Sequence, residues 1–248
     1  MKKGLLVIMT GVMLFASLTI VNAESQSDTI TNRSGVVIPI EKYNALKSIY
    51  SNNFMEFMTQ DQYDIIKDKD LSKVEIMETT DEDLNTSGIR PQTQEYTTTS
   101  KSLRIVNNNG YITMTLTWLK VPSIKKYDVM AFRLNSSVTR TSGYAFRQYY
   151  IANNTLQAST TTYPLDFDNG SGVAFKVQSG TDHEMEMNFT VSGTGRVYGS
   201  YQHACNSSAT LANAMDYIIS GSGYGGVILF NERIESKFDG MGGVYLTI

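Results

Sequence analysis

His203 and Cys205 stand two residues apart, so on a strand both side chains leave the same face. An imidazole beside a thiol suggests a pair of zinc ligands or a nucleophile with its base. The sequence completes neither. His183 is the only other histidine and there is no second cysteine, so further zinc ligands would have to come from scattered positions. Neighbours on one strand face also diverge, whereas an activated nucleophile needs a base that converges on it. Cys205 therefore reads as a small residue buried at a strand end, and a secreted hydrolase using His203 and Cys205 is kept as an alternative. Asp166 and Asp168, followed by Gly170, have the opening spacing of an oxygen-ligand calcium loop. The twelfth position from Asp166 is Val177, where such a loop needs an acid, so the segment reads as a turn. Gly221 to Gly226 lacks the lysine that follows a phosphate-binding loop. No cofactor and no metal is expected.

Tyrosine is the remaining resource. The chain has 15 tyrosines, and a phenol ring combines an apolar face with a hydrogen-bonding edge. Tyr144, Tyr198 and Tyr201 are the candidates for a stacking platform, with Gln202 and Asn188 at its rim, and the partner would be a glycan or a surface protein. A different use of the same region is membrane insertion: Asp182, Glu184 and Glu186 alternate with Met185, Met187 and Phe189, as pore lumen alternates with lipid face. Any one-faced sheet shows the same alternation, so the pore-forming reading stands second to binding.

These residues must be positioned by strands. Ile112, Met114, Leu116 and Trp118 alternate with threonines, a short break at 121–123 is expected to turn the chain back into Met130, Phe132 and Leu134, which resume the period as a neighbouring strand, and Asn107-Asn108-Asn109-Gly110 supplies the positive-φ positions of a tight reversal. Polar residues between the large ones imply antiparallel sheets with one wet face. Tyr144, Phe146, Gln148 and Tyr150 suggest a fourth strand, and Val173 to Val177 and Met185 to Val191 read as a long hairpin reversed at 179–182. Leu211 to Ile219 is ambiguous and reads as a short helix. The fold expected is mainly β, an antiparallel β-sandwich preceded by a short helical N-terminal segment. Trp118 is expected in its core.

Ahead of the strands, Tyr43, Leu46, Ile49, Tyr50, Phe54 and Phe57 recur at three and four residues, the stripe of an amphipathic helix. Thr59 with Gln62 has capping-box spacing ahead of Tyr63, Ile65 and Ile66. Lys2, Lys3, the apolar run from Gly4 to Ile20 and the small residues at Val21-Asn22-Ala23 make a secretory leader. The organisation expected is a signal peptide at 1–23, a disordered spacer at 24–40, a helical segment or propeptide at 41–78, a polar linker at 79–101 and a β-sandwich at 102–248. Without the leader the chain holds 19 basic and 24 acidic residues, a formal charge of −5. That sign, with no cluster of Arg or Lys, argues against nucleic acid. The leader, the helical lead and the polar β body together resemble secreted proteins of Gram-positive bacteria.

Overall fold

The structure is a computed structural model that describes residues 28–78, 96–97, 100–220, 227–239, 241 and 243–248. The expected leader, most of the expected linker and the glycine-rich 221–226 lie outside these residues.

A hairpin of β1 (Thr29–Thr31) and β2 (Val37–Pro39) leads into α1 (Ile40–Lys47), α2 (Asn52–Phe57) and α3 (Gln60–Ile66). Next come β3 (Glu75–Glu78), β4 (Tyr96–Thr97), β5 (Lys101–Asn108), β6 (Tyr111–Trp118), β7 (Tyr127–Leu134), β8 (Val138–Arg140) and β9 (Ala145–Ala152). These are followed by β10 (Thr155–Ser159), β11 (Tyr163–Phe167), β12 (Gly170–Lys176), β13 (Thr181–Gly193) and β14 (Arg196–Gln202). Then come α4 (Leu211–Ala214), β15 (Tyr217–Ile219), β16 (Ile228–Phe230), α5 (Glu232–Glu235) and β17 (Val244–Thr247). Leu211 to Ile219 thus holds both a short helix and a strand.

The molecule is an antiparallel β-sandwich preceded by short helices. One sheet runs β10-β9-β13-β6-β5-β3, the other β11-β12-β7-β14-β17. Between them lies the main core. Ile112, Met114, Leu116 and Trp118 of β6 and Met185, Met187 and Phe189 of β13 meet Met130 and Phe132 of β7, Val173 and Phe175 of β12, and Tyr201 of β14. Phe132 and Phe189 stack across the gap with centroids 3.9 Å apart. Gly199 faces the same core, and the Met114 Cε occupies the space a Cβ there would take, 2.7 Å from its position.

Two expectations about pairing are corrected. The break after β6 does not return the chain to the same sheet; β6 pairs with β5 and β13, while β7 pairs with β12 and β14. Likewise β12 and β13 are not a hairpin, because β13 lies between β6 and β9 in the opposite sheet. An arch between sheets and a hairpin within one bury the same alternate residues, so periodicity alone does not choose between them. Two hairpins carry two-residue turns with positive φ at both positions: Asn109-Gly110 (49° and 83°) between β5 and β6, and Asn153-Asn154 (52° and 57°) between β9 and β10.

The outer faces are not wet throughout. Beyond the first sheet, Ile38, Leu46, Phe54, Met55, Met58 and Ile66 form a second apolar cluster that includes Val106 of β5 and Tyr111 of β6. The spacer expected up to residue 40 is therefore, from Asp28 on, a folded hairpin. Asn32 is buried in it and donates to the carbonyls of Met55 and Met58 at 3.0 and 2.8 Å. Beyond the second sheet, Val129, Ala131, Ala174 and Tyr198 are covered by Ala204, Ala214, Tyr217, Ile219 and Phe238.

Helix α3 begins with the capping box read from the sequence. Thr59 Oγ1 accepts from the Gln62 N–H at 3.3 Å, and Gln62 Oε1 accepts from the Thr59 N–H at 2.9 Å. Replacing Thr59 by alanine is expected to lower stability by about 1 kcal/mol, read as a shift of the urea midpoint at constant slope.

Candidate functional site

The five candidate binding residues do not assemble into one platform. Residues 198 and 201 on one strand differ in parity and leave opposite faces. Tyr201 points into the core and is fully buried, which removes it as a stacking surface. Tyr198 lies on the outer face of the second sheet, buried beneath the Arg133 guanidinium, 4.0 Å from its ring centroid. Gln202 shares that outer face at a different hollow, of about 470 Å³, beside Phe230 and Phe238. Asn188 and Tyr144 alone come together. They line a pocket of about 320 Å³ where the helical layer meets the first sheet.

The hydrolase pair also separates. His203 is buried and its Nδ1–H donates to Asp128 at 2.9 Å; since a carboxylate only accepts, that nitrogen must carry the hydrogen. Asp128, fully buried, also accepts from the Tyr201 hydroxyl and from the Ala204 N–H at 2.9 Å. Tyr201 in turn accepts from the Trp118 indole N–H at 3.2 Å. Trp118, expected in the core, is there. Cys205 is exposed, not buried as expected, and its nearest polar contact is the Ser236 carbonyl at 3.9 Å. His203 ties the end of β14 to Asp128 of β7, and among the described residues no hydrogen bond joins it to Cys205. Asp166 accepts from the Ser171 hydroxyl at 2.5 Å and sits 3.7 Å from Arg140, and Asp168 lines a hollow that Ser171 and Arg140 also line, with Asn135 and Thr139.

The pocket beside Asn188 is not the largest hollow, but buried polar groups reach its floor. Three strand residues of even number on β13, Glu184, Glu186 and Asn188, face the helical layer because their odd-numbered neighbours face the core. Asn188 Nδ2 donates to Glu186 Oε1 at 2.5 Å, and Asn188 Oδ1 accepts from Gln62 Nε2 at 3.1 Å. Gln62 thus uses its oxygen to cap α3 and its nitrogen to hold the site. From β9, Arg147 donates through Nη1 to the Phe57 carbonyl at the end of α2, which pins the guanidinium at the pocket wall. Tyr144, Phe146, Thr160 and Thr162 complete the lining.

Burial sets the electrostatics. Glu186 is essentially without solvent contact, and desolvation holds its carboxyl well above the usual range; the nearby Glu184 pushes it the same way, and Arg147 opposes both. Glu184 is raised too, chiefly by burial, although Ser51 donates to it at 2.5 Å from the start of α2. The hydroxyls of Tyr111 and Tyr149 are likewise driven up by burial and by Glu186. Glu186 Oε2 makes no hydrogen bond among the described residues. Burial and Glu184 thus favour the protonated form of Glu186, and the Arg147 cation opposes it.

Sequence reading singled out Tyr144 and Asn188 but missed Arg147 and Glu186 as binding groups, and took Gln62 only as a cap. The available signal was an acidic, polar face on a strand whose other face is core, together with amphipathic helices in need of a surface to cover. The amphipathic stretch of the pore-forming reading is this same strand, and in the fold both its faces are covered. Among the described residues no group of three or more His, Cys, Asp or Glu is arranged to hold a metal ion.

No family model matches the chain, and no curated protein matches it. Among solved structures it is similar to the KRT10-binding region domain of the pneumococcal serine rich repeat protein PsrP, at 12% identity and a TM-score of 0.32, over 71% of this chain and 97% of that one. A likeness of that degree carries no argument about function, which rests on the site itself.

Proposed function

We propose that the protein is exported and binds, without catalysis, a sugar residue of an envelope or extracellular glycan in the pocket between α3 and the first sheet. The observation that carries this reading is the convergence of Gln62, Arg147, Glu186 and Asn188 on a hollow walled by Tyr144. A few fixed hydrogen-bonding groups beside an aromatic wall suit a sugar ring, which offers hydroxyls at its edge and C–H groups on its face. The volume is at the small end of ligand pockets, enough for one ring and too little for a protein anchor of several side chains. Glycoside hydrolysis would require two carboxyl groups flanking the bond. Among the described residues Glu186 is the only acid lining the pocket, and Glu184 is turned to Ser51 beneath α2.

Retention of the full chain on cell-envelope polysaccharide tests the proposal. Asn188→Ala removes the group that bridges Gln62 and Glu186 and is expected to weaken retention about tenfold or more, the loss of one to two hydrogen bonds. Thr160→Trp, at an exposed position on the pocket lining, is expected to block the pocket while leaving the melting temperature unchanged. Equal retention of the wild type and both variants, or no retention of any, would refute the reading.

A further inference from the structure

We infer that Lys101 and Asp239 condense to an intramolecular amide, a covalent cross-link between the two sheets made from the folded chain's own groups. Lys101 opens β5 in the first sheet. Asp239 follows α5, and its N–H donates to the His203 carbonyl at 2.9 Å, just past the end of β14 in the second sheet. The two residues are 138 positions apart, and Lys101 Nζ donates directly to Asp239 Oδ2. Lys101 is 3% exposed, a depth at which lysine is seldom found. Its amine lies over the rings of Trp118 and Tyr201, 5.3 and 6.0 Å from their centroids, so aromatic faces wall it off from water on that side.

This contact holds the atoms that would react. Nζ touches an oxygen bonded to Asp239 Cγ, the carbon it must attack, so nucleophile and electrophile do not have to meet by diffusion. The other carboxyl oxygen, Oδ1, accepts from the His203 N–H at 3.0 Å. A fixed backbone donor there stabilises the charge that gathers on Oδ1 as Cγ becomes tetrahedral. His203 is itself anchored, because its ring donates to the buried Asp128. In the reaction Nζ passes a proton to Oδ2 along the hydrogen bond they share, which frees the nitrogen lone pair. That pair forms the bond to Cγ, and the Cγ–Oδ2 bond breaks. Of the three ammonium protons one stays on the amide nitrogen and two leave on Oδ2 as water, so ammonium and carboxylate become a neutral amide plus water with no co-reactant. The Asp239 side chain is 35% exposed, which gives the water a way out. The product carries no charge, and the desolvation cost of a buried ion pair disappears with it. A tie across so long a stretch of chain also restricts the unfolded state, as a disulfide does.

Peptide mapping of the wild-type full chain, denatured and digested with trypsin, tests the inference. The expected result is a branched peptide joining the segments around Lys101 and Asp239, with the mass of both arms less one water and fragment ions that place the branch at these two residues. Lys101→Arg and Asp239→Ala are each expected to lose it. Asp239→Asn is expected to give the same branched peptide, because the side-chain amide can release ammonia where the acid releases water. Recovery of both arms from the wild type only as unlinked peptides, or a branched peptide that persists in Asp239→Ala, would overturn the inference. The main readout is taken on the wild type, so a variant that fails to fold does not blunt it. Neither residue lines the pocket beside Asn188, and the outcome is independent of the sugar-binding reading.

Discussion

Replacing Asp128 by alanine is expected to destabilise the protein by about 3–5 kcal/mol, the usual cost of removing one member of a buried ionic and hydrogen-bonded group. Asp128 is fully buried, and its carboxylate ends three donors at once: the Tyr201 hydroxyl, the His203 Nδ1–H and the Ala204 N–H. All three belong to the segment just around the end of β14, so the loss strands several donors away from water and unties that segment from β7. Tyr201 also takes the Trp118 indole N–H, which extends the effect to β6 in the other sheet. Urea denaturation with tryptophan fluorescence reads the change directly, since Trp118 is the chain's only tryptophan. Asp128→Asn keeps one acceptor oxygen and is expected to fall between wild type and alanine. A loss below about 1 kcal/mol for Asp128→Ala, the worth of a single ordinary hydrogen bond, would show that the cluster does not hold the sheets together.

The second large effect is on the pH dependence of stability. The folded state keeps the Glu186 proton to higher pH than the unfolded chain does, because desolvation and Glu184 raise the folded-state value, while an exposed glutamate titrates near about 4.3. Above that pH the unfolded chain binds fewer protons than the folded one, so stability falls as pH rises until the folded carboxyl also ionises. The limiting slope for one such group is about 1.4 kcal/mol per pH unit. Glu186→Gln keeps the acceptor for Asn188 and cannot ionise. Unfolding midpoints are expected to be similar for wild type and variant near pH 4, with the variant the more stable at pH 8 and the gap widening between the two. Parallel curves for the two proteins would mean that Glu186 is solvated in the folded state. Glu184, raised in the same direction, gives the wild type a second, smaller contribution of the same sign.

Local chemistry made much of the scaffold legible. Alternation of Ile112 to Trp118 and of Met185 to Val191 marked strands and the side each buries; Asn109-Gly110 marked a hairpin; Thr59 with Gln62 marked the start of α3. Each of these depends on residues within a few positions of one another, and the side a strand buries is a matter of parity. Parity could also have ruled out one proposed group, since Tyr198 and Tyr201 cannot share a face of the same strand.

What the sequence by itself determined is therefore which residues point inward, where short-range turns and caps fall, and that sandwiched antiparallel sheets with a helical lead are the architecture. Only the tertiary structure decided partners. The links after β6 and after β12 are arches between sheets, yet the buried residues are those a hairpin would bury, so sequence holds no local trace of the choice. Gln62 and Asn188 are 126 residues apart and meet because α3 lies across β13. Glu186 looks like an ordinary solvent-facing acid in an alternating strand; it becomes buried, with its carboxyl raised, because the helices of residues 40–66 cover that face. Desolvation, which shifts its proton, is a property of what packs on top, and nothing near position 186 encodes it.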